Sequence, residues 1–422
     1  MAPRSFSAIT HVIGLGGFLM LSAISNAAMA DAPGTSAEAD DLADMLTQGT
    51  VSGALRLRYY TDTNAYFVKH LNQDTVGYGG FIKYETAALN GFRLGASLIG
   101  QTTINRPDDK ASTFPDIGTD VANVGEAYIS WEHDDFKITA GNQRVDLPFI
   151  SDYDWRNVPI LFQGLNVHYG DKDNFLSLAR FYRWKGWGDD RFSKTNTYST
   201  TEETAGVAVI GGGRAVTIGD LKYSGQLWHE HYYDYTNLNY GEAHVAKVTG
   251  DWRPNAGIQY MRGTGDGREL AGKVDSTTLG AQLGVDYKAY KVALGYDHIQ
   301  AAPNAYNNGS LVTPYAHNTA GGPYFAAPFF TSPQDLGSGN AYSLDVSTSA
   351  TQNLYVGTRY SYMDLTPTAG TSSINQSEYL LYGIYSFDGA LKGLSVTDWV
   401  GVQTSPKKSD FFQNRLELNY AF

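Results

Sequence analysis

Alternation of apolar and polar residues is the dominant pattern of the chain from residue 51 onward. In residues 51–60, Val, Gly, Leu, Leu and Tyr occupy the odd positions, and Ser, Ala, Arg, Arg and Tyr occupy the even ones. A period of two predicts β-strands with one apolar and one polar face. The same period recurs in residues 92–98, 279–288, 290–297, 354–362 and 412–422.

The predicted strands are joined by connections that alternate between short and long. Eight short turns and nine long loops separate the alternating segments, which predicts eighteen strands with both termini on the side of the short turns. Residues 211–213 are three consecutive glycines and fit either a kink inside one strand or a turn between two, and a turn would change the count. The longest loop, residues 301–339, can fold inward or cover the mouth of the sheet.

Strand length separates a membrane barrel from a soluble sheet. The alternating segments run for about ten to thirteen residues, whereas strands of soluble sheets average about five or six. Strands of about ten residues match the length of a tilted transmembrane strand. An open sheet in lipid would leave two edges without hydrogen-bond partners, so closure is required. We therefore predict an all-β fold for residues 51–422, a transmembrane antiparallel barrel of 18 strands.

The first thirty residues predict a secretory signal peptide. Arg4 is the one basic residue before a charge-free run at residues 12–24, and small residues follow. Ala28 and Ala30 occupy the −3 and −1 positions of a signal-peptidase site, which makes Asp31 the mature start. A transmembrane anchor is the alternative, but the run is too short to span a bilayer. Residues 31–50 are predicted to be a periplasmic extension with a short helix near residues 39–46.

Composition removes several classes of protein. The 422 residues include no cysteine, which excludes a disulfide scaffold, a thiolate metal site and a cysteine nucleophile. The mean hydropathy of −0.31 argues against a helical transporter. It is compatible with a barrel whose inner face is polar. The net charge of −12 gives no reason to expect a nucleic-acid partner.

Enzyme and cofactor motifs are weak in this chain. His229, Glu230 and His231 place two histidines on one strand face, but no third ligand is evident nearby. Neither a G-x-S-x-G sequence nor a Walker loop occurs. We therefore predict no enzyme activity, no catalytic residue, no cofactor and no metal site.

The segment of residues 141–166 contains the third long loop and stands out by its mixed chemistry. Its charged side chains lie among aromatic and apolar residues that a loop facing water does not need. Folded inward, the loop would pack these residues on the barrel wall and turn its charges toward the lumen, and a cap over the barrel mouth is the alternative. The predicted constriction residues are Arg144, Asp146, Asp152, Asp154 and Arg156.

Arginines on the polar strand faces form the second part of the predicted solute pathway. A row of guanidinium groups along the wall can bind a carboxylate at successive sites and lower the desolvation cost of entering a narrow pore. Each arginine could instead form a structural ion pair in the lumen. The predicted residues are Arg56, Arg58, Arg93, Arg359 and Arg415.

The last strand carries a specific local signal. Its apolar residues alternate up to an aromatic residue at the C-terminus, Phe422. This ending resembles the assembly signal of outer-membrane barrels, so we expect the barrel assembly machinery to be a partner.

The chain resembles the OprD family of substrate-specific outer-membrane porins from about residue 51 to its end. The sharpest similarity is Pro148 with Phe149, then an R-x-x-P element at residues 156–159, then Gly164. The residues at 55–60 and the long loop 301–339 are also similar. The family's Asn-Arg-Asp element after the first strand is only partly present, at residues 61–64. The resemblance implies eighteen strands, a third loop that narrows the pore, and a place for Arg415 in a ladder of basic residues.

These patterns together predict a porin of the Gram-negative outer membrane, after signal-peptide cleavage near Ala30. We expect passive, partly selective diffusion of small hydrophilic solutes, in particular amino acids or organic acids that bear a carboxylate. A general non-specific porin is the first alternative, and an outer-membrane barrel enzyme is a weaker one. The lipid and lipopolysaccharide of the membrane would surround the barrel, and both a monomer and a homotrimer fit the sequence.

Overall fold

A computed structural model of the chain describes residues 38–105, 112–316, 322–330, 337–367 and 375–422. The predicted signal peptide and the first residues of the predicted extension lie outside the described residues. The strands are β1 (Thr50–Thr63), β2 (Gln73–Glu85), β3 (Phe92–Asn105), β4 (Val121–His133), β5 (Phe136–Gln143), β6 (Leu161–Gly170), β7 (Phe175–Lys185), β8 (Val207–Ile218), β9 (Leu221–Tyr232), β10 (Thr236–Lys247), β11 (Trp252–Gly265), β12 (Asp275–Tyr287), β13 (Tyr290–Ile299), β14 (Gly339–Ser349), β15 (Leu354–Leu365), β16 (Gln376–Ser386), β17 (Leu394–Thr404) and β18 (Phe411–Ala421).

These eighteen strands form one closed antiparallel sheet. Each strand pairs with the strands before and after it in the chain, and β18 pairs with β1 to close the ring. Closure places Leu418 opposite Leu57, and backbone hydrogen bonds join Gly53 to Phe422 in both directions at 2.9 and 3.1 Å. The predicted all-β barrel of 18 strands is therefore confirmed.

The three consecutive glycines belong to a single strand. Residues 211–213 lie inside β8, which pairs with β7 on one side and β9 on the other. The chain instead turns at Gly219 and Asp220, between β8 and β9. Of the two interpretations of these glycines, the turn is wrong, and the strand count stands.

Helical structure is slight and lies outside the strands. Asp41 caps the N-terminus of helix α1 (Leu42–Thr47), and its carboxylate accepts a hydrogen bond from the Asp44 backbone N–H at 2.9 Å. Its Met45 packs against Ala87 near the turn between β2 and β3. Helix α2 (Pro115–Gly118) precedes β4. Short 3₁₀ turns occur at Ala65–Phe67, Tyr306–Asn308 and Gly389–Leu391. In the described part of the chain, no helix has the length and apolar character that crossing a membrane requires.

Burial along the strands is inverted relative to a soluble protein. On β1, Leu55 is 60% exposed, while the next residue, Arg56, is 8% exposed. Leu283 of β12 is 62% exposed in the same way. Apolar side chains thus face outward, where lipid replaces water, and polar side chains face the inside of the ring.

The largest hydrophobic cluster lies inside the ring, along the walls of β6 to β15. It joins residues of two long connections, 144–160 and 300–338, to aromatic and aliphatic residues of the inner wall. The protein core is therefore formed by loops packed within the barrel. Members of this cluster include Phe149, Ile150, Tyr153, Phe181, Trp228, Tyr232, Met261, Tyr315 and Tyr324.

Candidate functional site

The connection between β5 and β6, residues 144–160, reaches two opposite walls of the barrel; we call it loop 3. On one wall, Asp154 of loop 3 forms an ion pair with Arg56 of β1. On the other, the ring of Phe149 meets that of Tyr240 on β10 edge-on, with centroids 5.6 Å apart. Strands β1 and β10 stand nine places apart in the ring of eighteen. A segment that contacts both strands must span the ring from one wall to the opposite one.

The tip of loop 3 is a small hairpin with an apolar end. Asp146–Leu147 pairs with Ile150–Ser151, so that Pro148 and Phe149 form the turn. Phe149 and Ile150 are fully buried. Both residues belong to the hydrophobic cluster of the inner wall, where the Phe149 ring contacts that of Tyr240. The apolar residues that a solvent-facing loop would not need therefore attach the tip to the wall.

Charged residues attach loop 3 to the opposite wall. Arg56 donates to both oxygens of Asp154, at 2.5 and 2.8 Å, and to the backbone oxygen of Arg156 at 2.8 Å. Arg144 donates to Asp154 at 2.8 Å and to Asp152 at 2.6 Å. Bidentate arginine–carboxylate contacts combine charge with fixed geometry. These four side chains, which we call the loop 3 clamp, therefore fix the segment at 152–156 against β1.

The two carboxylates of the clamp differ in their protonation. Burial alone would raise the pKa of Asp154, but the positive charges of Arg144 and Arg56 outweigh it and hold the pKa below its ordinary value. Among the described residues Asp152 pairs with Arg144 alone, and burial raises the pKa of Asp152 to about 6. Asp154 is thus the permanently charged member of the clamp, and Asp152 changes its charge near neutral pH.

A second group of charges surrounds the ring of Tyr60 on β1; Arg58, Arg156 and Arg415 form this arginine cluster. Arg58 forms an ion pair with Glu417 of β18, and the Tyr60 hydroxyl donates to the same carboxylate at 2.7 Å. Arg156 lies over the Tyr60 ring, with its guanidinium carbon 5.4 Å from the centroid, and Arg415 does so at 5.3 Å. Three guanidinium groups thus converge beside loop 3 on the inside of the barrel.

The three arginines of the cluster differ in how far their charge is compensated. Arg156 donates to Asp116 at 3.2 Å and stacks on Trp187 at 4.6 Å. Arg415 stacks on Phe330 at 4.7 Å and donates to the side-chain oxygen of Gln413 at 3.3 Å. Within the described residues, Arg415 has no carboxylate at ion-pair distance. Aromatic faces stabilise a cation without neutralising it, so the charge of Arg415 can still attract an anion.

Three of the predicted pathway residues lie apart from this group. Arg93 points toward the backbone oxygen of Thr86, 3.5 Å away, at the end of the barrel with the short turns. Arg359 donates to the backbone oxygen of Phe325 at 3.3 Å. Asp146 accepts a hydrogen bond from Ser151 at 3.1 Å within the hairpin of loop 3. The other seven, which lie in the clamp or the cluster, are Arg56, Arg58, Arg144, Asp152, Asp154, Arg156 and Arg415.

Sequence reasoning missed the residues that organise the cluster. Tyr60 shares the polar face of β1 with Arg56 and Arg58, and an aromatic residue directly after two arginines on that face is the available signal. Glu417 likewise lies two residues beyond Arg415 on one strand face. Nothing near Asp116 in the sequence points to its contact with Arg156.

Comparisons with known proteins agree on one family and one fold. A family model described as outer membrane porin, OprD family, matches residues 122–422. A search of curated proteins found no match. Three solved structures are similar, and each aligns over 90% of this chain and 99% of its own. Two are porins of Pseudomonas aeruginosa: OpdK with vanillate (TM-score 0.72, 17% identity) and OccK9, also called OpdG (TM-score 0.75, 15% identity). The third is a BenF-like porin from Pseudomonas fluorescens Pf-5 (TM-score 0.73, 15% identity). At these identities the structural likeness shows the fold.

Proposed function

Because the chain belongs to the OprD family of outer-membrane porins, we propose that it selects, among small hydrophilic solutes, those that carry a carboxylate. Amino acids and organic acids are the solutes that this chemistry fits. The protein is a channel of the Gram-negative outer membrane rather than an enzyme. Loop 3 and the arginine cluster would form the narrow part of the pathway.

The observation that carries the proposal is the environment of Arg415. Its guanidinium lies against the rings of Tyr60 and Phe330, 5.3 and 4.7 Å from their centroids, and has no carboxylate partner among the described residues. Burying a charge is costly unless it is paired. A solute carboxylate would supply that pairing with bidentate geometry, which an uncharged solute cannot do.

The negative groups of the site limit which solutes fit. Asp152 and Asp154 are held by Arg144 and Arg56, so they are not available to bind a solute ammonium group. Asp116 is 38% exposed and accepts two hydrogen bonds from Arg156 on one carboxylate oxygen, each at 3.2 Å. The site therefore supports binding of the carboxylate end of a solute better than of a cationic end. OpdK, which shares the fold, was solved with vanillate, itself a carboxylate.

The proposal is tested by ion selectivity of the refolded protein in planar bilayers. We expect the unsubstituted channel to prefer anions, and Arg415→Gln and Arg156→Gln each to shift the reversal potential toward cations. Arg268→Gln is the matched control, because Arg268 is half exposed and pairs with Glu202 and Asp234 outside the strands.

Competition separates a selective channel from a general porin. A carboxylate solute should reduce the small-ion current of the unsubstituted protein at concentrations where a neutral sugar of similar size has no effect. Equal effects of acid and sugar, together with unchanged reversal potentials in both variants, would contradict carboxylate selection and favour a general porin.

A further inference from the structure

A second long connection follows the inner wall beside Arg415. The connection between β13 and β14 spans residues 300–338, and its described segment 322–330 is here called the loop 7 segment. The Ala326 backbone N–H donates to Asp297 of β13 at 2.7 Å. The Phe325 backbone oxygen accepts from Ser343 of β14 at 3.2 Å and from Arg359 of β15 at 3.3 Å. The loop 7 segment thus crosses three wall strands in order.

Glu378 of β16 holds the far end of the loop 7 segment. One carboxylate oxygen accepts from the Phe329 backbone N–H at 2.6 Å, and the other accepts from the Phe330 backbone N–H at 3.0 Å. The side chain is buried, with 2% exposure. Two backbone donors on one buried carboxylate are charge-assisted hydrogen bonds, which are stronger than neutral ones. They place the Phe330 ring against the Arg415 guanidinium.

A chain of side-chain hydrogen bonds joins the same two residues along the wall. Gln403 donates to Glu378 at 2.9 Å, and Gln413 donates to Gln403 at 3.2 Å. Arg415 then donates to Gln413 at 3.3 Å. A carboxylate only accepts and a guanidinium only donates, so both amides in between are forced into one orientation. Glu378 therefore reaches Arg415 by two routes, through the loop 7 segment and through the amide chain.

We propose that Glu378 is a positioning residue for solute selection, which holds the loop 7 segment and the amide chain so that the Arg415 guanidinium is oriented for a carboxylate. The proposal rests on the proposed function of Arg415 and goes beyond it, since Glu378 itself contacts no solute. A preoriented guanidinium binds more tightly than a mobile one because less conformational freedom is lost on binding.

For Glu378→Gln, the proposal and simple charge counting predict opposite changes in the strength of anion binding. Removal of one negative charge near Arg415 should, by charge alone, strengthen binding of an anion. Loss of positioning should instead weaken it, because the amide that replaces one oxygen faces the N–H donors of the loop 7 segment or of Gln403. We expect block of the small-ion current by a carboxylate solute such as acetate to require about tenfold higher concentration.

Thiol labelling follows the loop 7 segment independently of any solute. The chain has no cysteine, so Ser343→Cys introduces a single thiol beneath Phe325, where Ser343 is 7% exposed. We expect slow reaction with a water-soluble maleimide when Glu378 is present and at least about tenfold faster reaction with Glu378→Gln, as loss of such a hydrogen-bonded contact implies. Ser349→Cys, at the exposed end of β14, should react rapidly in both backgrounds.

Two further variants separate positioning from charge and from folding. Asp345→Asn removes one negative charge from the same inner wall, where Asp345 accepts from Tyr382 rather than from the loop 7 segment. It should leave labelling of Ser343→Cys unchanged. Glu378→Gln with Gln403→Glu keeps the charge and the amide chain but leaves a backbone N–H of the loop 7 segment facing an amide donor. This pair should restore part of the acetate block while labelling stays fast.

The outcomes separate this proposal from the proposed function. Unchanged labelling in Glu378→Gln would overturn the contact with the loop 7 segment, and faster labelling with unchanged or stronger acetate block would overturn the positioning role. Faster labelling with weaker block supports both. Absence of acetate block in the unsubstituted channel would overturn the proposed function and with it the selection by Glu378, whereas labelling would still decide whether Glu378 holds the loop 7 segment.

Discussion

The loop 3 clamp gives a prediction whose size follows from its geometry. Asp154→Asn keeps the shape of the side chain and removes the charge that Arg56 and Arg144 share. The side chains of Arg56 and Asp154 are 7% and 10% exposed, so this pair is buried rather than superficial. The substitution leaves two guanidinium groups without their shared negative charge, and at least one N–H of Arg56 then faces the NH2 donor of the amide.

The expected cost exceeds that of an ordinary surface pair. Two unit charges about 4 Å apart interact by about 4 kcal/mol at an effective dielectric constant near 20. Breaking a buried pair by removing one partner typically costs about 3–5 kcal/mol. Because loop 3 can detach while the strands stay paired, part of this free energy will appear as loop opening and the rest as a lower free energy of unfolding.

Two measurements detect the two expected effects, the lower free energy of unfolding and the opening of loop 3. Denaturant unfolding in detergent micelles should show a loss of up to about 3 kcal/mol for Asp154→Asn, and single-channel recordings should show larger and noisier currents. The pair Asp154→Asn with Arg56→Gln should cost less than the sum of the single variants, since the two residues interact directly. Glu132→Gln is the control, because its contact with Lys137 at 3.4 Å is half exposed and should cost less than about 1 kcal/mol. Additive costs and wild-type currents would refute the reasoning.

Four further predictions concern protonation, the lipid face, assembly and processing. Burial raises the pKa of Asp152 to about 6 from an unfolded value near 4, so its contribution to stability is present below about pH 4 and is lost as pH rises through about 6. Denaturation between pH 4 and 8 should show this loss in the unsubstituted protein and not in Asp152→Asn. Leu283→Arg, at a 62% exposed position near the middle of β12, should destabilise the barrel in lipid by about 2–4 kcal/mol, measured by unfolding in vesicles. Deletion of Phe422, whose backbone pairs with Gly53, should lower the amount of barrel assembled in outer membranes, and equal amounts would argue against a C-terminal assembly signal. Mass spectrometry of the exported protein should find Asp31 as the first residue, and an intact N-terminus would contradict the predicted cleavage.

The number of strands and the face on which each side chain lies could be predicted, because both follow from local sequence patterns. Side chains alternate between faces with a period of two, and lipid requires every strand edge to be paired. The glycines at residues 211–213 were the exception, since glycine fits a strand or a turn equally well. Their place was decided by the strands on either side, β7 and β9, which no local pattern specifies.

The partners of the charged residues could not be predicted, because they depend on register and on loops that cross the barrel. Alternation gave the face of Arg93 and Arg415 but not their height along the wall, and the two lie in different places. Arg56 and Asp154 are separated by 98 residues in the sequence. Glu378 finds its donors 25 to 49 residues away, so nothing beside it in the sequence marks its role.

The arginines of the inner wall divide into two kinds, and the division bears on how a selective pore can work. Arg56 and Arg144 are satisfied by carboxylates of loop 3, so a solute anion would have to displace a bidentate partner to reach them. Arg415 lies against aromatic faces and has no carboxylate partner among the described residues, so it can still donate to an anion. Arg156 stands between the two kinds, because it stacks on Trp187 and also pairs with the partly exposed Asp116. We expect the first kind to shape the solute pathway and Arg415 to bind a carboxylate within it. A carboxylate bound at Arg415 would then arrive and leave without breaking the contacts of the loop 3 clamp, and rapid passage requires that property.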